Sequence, residues 1–124
     1  MSQETILIVE DSELNRRLLE AVLKPHGYRL LVAEDGETGL VLARDGKPDL
    51  ILMDVLLPGI DGYEVTRRLR ADPETRHIVV IALTASASDE ERAQALAAGC
   101  DAYISKPIDT RAFPQQIRQF LADR

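Results

Sequence analysis

Leu50-Ile51-Leu52-Met53-Asp54 carries four apolar residues straight into an aspartate, with no turn residue between them. An apolar run that does not alternate with polar residues suits a strand covered on both faces, as central parallel strands are. Four more runs of this type flank it. Ile6-Leu7-Ile8-Val9 and Leu30-Leu31-Val32-Ala33 come before it; Ile78-Val79-Val80-Ile81-Ala82-Leu83 and Ala102-Tyr103-Ile104 come after it.

Between the runs lie stretches with helical spacing. Leu14, Leu18 and Val22 recur every four residues, as do Val65 and Leu69. Ala93, Leu96 and Ala97 make one apolar stripe, and Phe113, Ile117, Phe120 and Leu121 another. Asp61 with Glu64, and Ser88 with Glu91, have the spacing of a capping box. Gly27, Gly46 and Gly99 stand where helices should stop. Pro114 falls inside the last stripe, and a proline in a helix interior removes a donor. The last helix is therefore expected to start at about Thr110, leaving Pro114 near its first turn. The order is strand then helix, five times. That predicts an α/β protein with an open, doubly wound parallel sheet in three α/β/α layers.

Composition narrows the class. The chain has 124 residues, 45% apolar and 29% charged, which is the balance of one soluble domain. Fifteen basic against twenty-one acidic residues leave a net charge of −6, so non-specific binding of nucleic acid or anionic membrane is disfavoured. Cys100 is the only cysteine, which excludes an internal disulfide and a cysteine-based zinc cage. No apolar run approaches the ~20 residues of a membrane span. Met1-Ser2-Gln3-Glu4 lacks the basic flank and apolar stretch of a signal peptide. A cytoplasmic domain is expected.

In open α/β sheets, ligands bind beyond the carboxyl ends of the strands. The first strand ends in Glu10-Asp11, the third in Asp54, the fourth in Thr84-Ala85 and the fifth in Ser105-Lys106-Pro107. Any one acid there is explained by solvation or helix capping, and Asp11 could cap a helix beginning near Ser12. The set is harder to explain that way. Converging carboxylates repel, and burial penalises their charged forms. A hard cation among them resolves the conflict. Oxygen donors without histidine or cysteine suit Mg²⁺. Lys106 and Thr84 are typed to meet a phosphoryl group, one by charge and one by hydrogen bond.

At these residues the chain resembles the receiver domain of two-component response regulators, over essentially all of its length. The matching elements are Glu10-Asp11, Asp54 followed by Leu57-Pro58-Gly59 and Asp61-Gly62, Thr84-Ala85, and Lys106-Pro107. Glu10-Asp11-Ser12-Glu13-Leu14-Asn15 resembles the DivK group of stand-alone receivers and the receivers of hybrid kinases. The resemblance implies a flavodoxin-like (βα)5 fold with strand order 2-1-3-4-5 and one receiver domain spanning residues 1–124. It implies that Asp54 accepts phosphate from the phosphohistidine of a sensor histidine kinase or phosphotransfer protein. Asp11, Asp54 and the Leu56 carbonyl would ligate Mg²⁺, with Glu10 acting through a water. Lys106 would pair with Asp54 and then with the phosphoryl oxygens. Thr84 and Tyr103 would form the switch, and Lys106-Pro107 would be cis. The output surface would be the fourth helix, fifth strand and fifth helix, with Arg111 and Gln115 on the same side. It would meet a downstream protein, with no direct nucleic-acid or membrane partner, as a monomer or a weak phosphorylation-dependent dimer.

Several residues depart from the pattern or are less informative. Leu57 stands where the family often has Met, a nearly volume-neutral exchange. Leu56 and Ser86 occupy positions that tune phosphate lifetime in the family. An apolar Leu56 cannot orient an attacking water, so slow self-dephosphorylation is expected. His26 and His77 read as solvated, Cys100 as a buried structural thiol, and Asp89, Glu90, Glu91 and Arg92 as a solvated helix face or part of the partner surface. The competing classes are weaker. A haloacid-dehalogenase-like phosphatase needs a second aspartate where Leu56 stands, and a cap domain. Nucleotide or flavin binding needs a phosphate loop, but Glu10-Asp11-Ser12-Glu13 is acidic. No G-x-S-x-G elbow is present. A degenerate receiver acting by contact alone is disfavoured by the complete acid, threonine and lysine set. No DNA-binding module follows Arg124, so output is expected through protein contact unless the chain is part of a larger regulator.

Overall fold

The computed structural model describes residues 3–86 and 88–124. The signal-peptide reading at Met1 and Ser2 lies outside them. Five parallel strands, β1 (Thr5–Val9), β2 (Arg29–Ala33), β3 (Leu50–Asp54), β4 (Val79–Thr84) and β5 (Ala102–Ser105), form one sheet in the order β2-β1-β3-β4-β5. Five helices connect and follow them: α1 (Glu13–Leu23), α2 (Gly36–Gly46), α3 (Gly62–Ala71), α4 (Asp89–Ala98) and α5 (Phe113–Asp123). A short 3-10 turn, Lys24–His26, extends α1. The doubly wound three-layer fold and the strand order agree with the sequence expectation.

β1, β3 and β4 are buried at every position, as their unbroken apolar runs require. Successive side chains of these strands feed opposite layers. Leu7, Val9, Ile51, Met53, Val80 and Ala82 pack in a core with Val65 and Leu69 of α3 and Ala95 of α4. Ile6, Ile8, Leu50, Leu52, Ile81 and Leu83 pack in a second core with Leu19 and Leu23 of α1 and with Phe113, Ile117 and Leu121 of α5. The sheet is thus a wall between two cores, and its carboxyl ends share one rim.

Two of the expected helix faces are wrong. In α1 the buried residues are Leu19 and Leu23, whereas Leu14 is 78% exposed and Leu18 is also exposed. Leu14 and Leu18 have the right spacing on the wrong stripe; only Val22 of that set packs against the core. In α4 the buried residues are Ala95 and Ala98, and Ala93, Leu96 and Ala97 all face outward. The α3 and α5 stripes stand as expected.

Helix ends also differ in detail. Asp61 and Ser88 cap α3 and α4 by accepting from the amides of Glu64 and Glu91. The return half of the capping box is replaced, because Glu64 pairs with Arg67 and Arg68 while Glu91 meets Tyr63. Gly27 and Gly99 take the left-handed conformation that ends a helix, but α2 ends with Lys47 in that role and Gly46 remains helical. α5 starts at Phe113 rather than Thr110, so Pro114 sits in its first turn. Asp109 accepts from the amides of Arg111 and Ala112 just ahead of it. At the opposite rim of the sheet, Arg70 donates to the carbonyls of Gly99, Arg76 and Ile78 and pairs with Asp101.

Among the described residues, one buried side-chain polar atom has no partner, the Tyr28 hydroxyl in the α1–α5 core. An orphan hydroxyl costs its desolvation without a return bond. Tyr28→Phe is expected to match or exceed the parent in urea unfolding, by up to about 1 kcal/mol. A clear loss of stability would show that the hydroxyl finds a partner in solution.

Candidate functional site

The cleft lies at the carboxyl rim of β1, β3, β4 and β5 and has a volume of about 430 Å³. It is lined by Glu10 and Asp11 after β1, Asp54 and Leu56 at and after β3, Thr84 and Ser86 at and after β4, and Lys106 after β5. All these positions follow from strand length and register. Asp54 lies opposite Leu83 across the β3–β4 pair, and Thr84 lies opposite Ser105 across the β4–β5 pair. Gly62 brings the start of α3 under Asp54; a Cβ there would run into the Asp54 carbonyl oxygen.

Carboxylate oxygens of Glu10, Asp11 and Asp54 all lie within 4.8 Å of one another. Glu10 and Asp54 are buried and Asp11 is exposed. Asp11 does not cap α1; Ser12 does, through its hydroxyl on the Asn15 amide. That removes the simple capping explanation for Asp11. Lys106 Nζ stands 2.8 Å from Glu10 Oε1 and 3.3 Å from Asp54 Oδ1. The Leu56 amide donates to Asp54 Oδ1, and the Ser12 amide to Glu10 Oε2. The Lys106-Pro107 peptide is cis.

The electrostatics of the group are uneven. Burial, then Glu10 beside it, pushes the Asp54 carboxyl up to about 6. Burial also works against charged Glu10, but the bonds from Lys106, Asp54 and the Ser12 amide outweigh it and hold Glu10 below its ordinary value. Burial works against Lys106 too, and its two carboxylate partners outweigh that and keep its ammonium above the usual range. One ammonium is shared by a pair of buried acids, with a third acid at the mouth. The donor set is oxygen throughout, partly buried and negatively charged, which fits a hard divalent cation.

Thr84 is buried at this rim, but its hydroxyl is engaged locally. It donates to the Ser86 carbonyl at 3.0 Å and accepts from the Ser86 amide at 3.2 Å. Tyr103 is half-buried, packed at the edge of the core beneath α4, with the Arg92 guanidinium 5.9 Å from its ring centre. Leu56 is 74% exposed at the cleft wall. Cys100 is buried, and burial raises its thiol. His26 and His77 are exposed, away from the cleft residues.

Glu91 corrects the solvated-face reading, whereas Asp89, Glu90 and Arg92 are exposed as that reading expects. Glu91 lines the cleft and accepts from the Tyr63 hydroxyl at 2.5 Å, while Arg92 covers Tyr103. Burial and the Glu91 carboxylate raise the Tyr63 hydroxyl. Arg16 is a second residue that sequence reasoning missed. Its guanidinium reaches back to the carbonyls of Glu10 and Asp11. No motif marks either pair, since the partners meet only once the rim is assembled.

Residues 6–118 match the response regulator receiver domain family. The polar-differentiation response regulator DivK of Brucella anthropi is 47% identical, over 97% of this chain and 98% of that protein. Among solved structures, the receiver domain of sensor histidine kinase PA1611 from Pseudomonas aeruginosa PAO1 superposes with a TM-score of 0.89 at 36% identity. The match covers 98% of this chain and 99% of that one, and a magnesium ion is coordinated in that protein's active site cleft. A CheY-like receiver domain protein from Methanospirillum hungatei JF-1 has a TM-score of 0.90 at 30% identity, covering 98% and 96% of the two chains.

Asp54 yields a pH test. A carboxyl held higher folded than unfolded makes the folded state bind the extra proton. Its contribution to stability therefore falls as pH rises from the ordinary carboxylate range to about 6, and the full cost is present above that. Glu10, held low, works in the opposite sense: its stabilisation is present above the ordinary range and is lost on acidification. With chelator present, Asp54→Asn is expected to unfold at higher urea than the parent near pH 8, by about 1 kcal/mol, with the gap closing as pH falls from about 6 to the ordinary carboxylate range. A gap that does not change with pH would refute this account of the cluster.

Proposed function

This chain belongs to the response regulator receiver domain family, and on that footing we propose that Asp54 accepts a phosphoryl group from the phosphohistidine of a sensor kinase or phosphotransfer protein. The observation that supports this best is the position of Lys106, 3.3 Å from Asp54 Oδ1 at the wall of an open acidic cleft. In the reaction an Asp54 oxygen bonds to phosphorus, the N–P bond breaks, and its electron pair stays on the imidazole. Such a transfer asks the protein mainly for alignment and charge neutralisation. Asp11, Asp54 and the Leu56 carbonyl would hold Mg²⁺, with Glu10 behind a bound water. When bound, the ion supplies charge neutralisation and a template for the phosphoryl oxygens.

The remaining work falls to side chains. Lys106 sits close enough to move from the Asp54 carboxylate to a phosphoryl oxygen. Thr84 would exchange its Ser86 carbonyl partner for that group, a bond available only in the phosphorylated state. A contact made in one state alone is what biases a two-state element. Tyr103 follows Thr84, carrying the change to the surface of α4, β5 and α5, where a downstream protein reads it. The chain acts as a switch rather than as a turnover enzyme. We place it in the cytoplasm, as one receiver domain over residues 1–124. No helix among the described residues is long and apolar enough to cross a membrane.

Incubation with Mg²⁺ and acetyl phosphate is expected to add one acid-type phosphoryl group by intact mass. The adduct should be absent with chelator and in Asp54→Asn. No adduct from small donors or from any kinase offered would leave a contact-only receiver as the better reading. Leu56 gives a second test, because an exposed leucine at the cleft cannot aim a water at phosphorus. Leu56→Asn is expected to speed loss of the phosphoryl group by roughly tenfold, less than a full general base supplies. An unchanged decay rate would remove Leu56 from the control of lifetime.

A further inference from the structure

We propose that Arg16 is a positioning residue for the acidic pair, setting the angle at which Glu10 and Asp11 enter the cleft. The inference rests on the Mg²⁺ reading of that cleft. Only residues 10–12 separate the end of β1 from the start of α1, and they carry two of the three clustered carboxylates. Arg16 Nη1 donates to the Glu10 carbonyl at 2.9 Å and to the Asp11 carbonyl at 2.9 Å. These two carbonyls belong to the consecutive peptide planes on either side of the Asp11 α-carbon. A peptide plane is rigid, so tying both carbonyls to one nitrogen narrows the range of φ and ψ at Asp11 and hence the direction of its Cβ.

That restraint matters because the Asp11 side chain has little else to guide it. It is exposed, and among the described residues its carboxylate takes no hydrogen bond or ion pair. Arg16 itself is tucked in. Its side chain is 12% exposed, whereas neighbouring Arg17 is 75% exposed and pairs only with Glu13. Arg16 Nη2 lies 3.3 Å from Glu34 Oε1, a carboxylate 74% exposed on the far side of the loop. A pair with one partner that open to water contributes little. The function of the residue therefore lies in the two bonds that Nη1 makes to the carbonyls.

Charge and geometry make opposite predictions here. A guanidinium beside a cation site repels the cation, so a purely electrostatic role means that removing the charge tightens Mg²⁺ binding. A positioning role means that losing the rigid planar donor group weakens it, even when the charge is kept. Lysine keeps the charge and has donors enough for two carbonyls, but it carries them on a flexible stem rather than on a rigid planar group, so it holds the two carbonyls less firmly.

The test is calorimetric titration of Mg²⁺ into the full chain and into R16K, R16M and E34Q, with urea unfolding of the metal-free proteins alongside. R16K and R16M are each expected to bind Mg²⁺ about tenfold more weakly, the low end for loss of an outer partner of a metal ligand. E34Q should stay within about twofold of the parent. With acetyl phosphate, R16K should need more Mg²⁺ for half-maximal phosphorylation yet reach the parental rate at saturation, a split that a general loss of stability would not produce. Parental affinity in R16K, or tighter binding in R16M, would overturn the proposal. If R16M does not fold, R16Q serves in its place, with a shorter, neutral amide in place of the guanidinium. A parent that binds no Mg²⁺ would overturn the reading of the cleft itself, and the role of Arg16 with it.

Discussion

Two buried carboxylates and a third at the mouth are held together with one ammonium between them, and the upper half of the molecule is arranged around that imbalance. Glu10 and Asp54 cannot both carry full charge comfortably in a partly dehydrated site. Lys106 compensates in part, and the amides of Ser12 and Leu56 supply the remaining donors. The unrelieved portion is the property a cation or a proton can answer. A site that stores such a conflict gives up some stability of the resting fold in exchange for responsiveness.

The rim was legible in the sequence because strand ends are legible. A fully buried parallel strand must be apolar until it leaves the cores, so its first polar residue marks the rim. Val9 to Glu10, Met53 to Asp54 and Leu83 to Thr84 are transitions of that kind. Family resemblance then supplied the strand order and the roles. Helix faces were less legible. Leu14 and Leu18 have the same spacing as Leu19 and Leu23, and periodicity alone cannot choose between stripes one residue apart. In α4 the larger Leu96 faces outward while Ala95 and Ala98 are buried, since the helix lies close against its neighbours.

Contacts between distant polar groups were not legible at all. Tyr63 and Glu91 are 28 positions apart, and Arg70 and Asp101 are 31. Each residue has an ordinary surface reading by itself, and each pair exists only through the packing of whole elements. The same holds for Thr84: its type at a strand end was evident, but the bonds that hold its hydroxyl to Ser86 depend on the local turn. Such contacts hold the rim in the arrangement described above.

α4 presents seven of its ten residues to solvent and rests on two alanines. Surface substitutions generally change stability by no more than about 0.5 kcal/mol. Lineages can therefore rewrite Asp89, Glu90, Ala93, Gln94, Leu96 and Ala97 almost one by one while the fold persists. The carboxylates and lysine at the rim have no such freedom, because each is compensated by the others. Duplicated copies of a gene for this protein would thus diverge fastest along α4, while the rim stayed nearly the same in each.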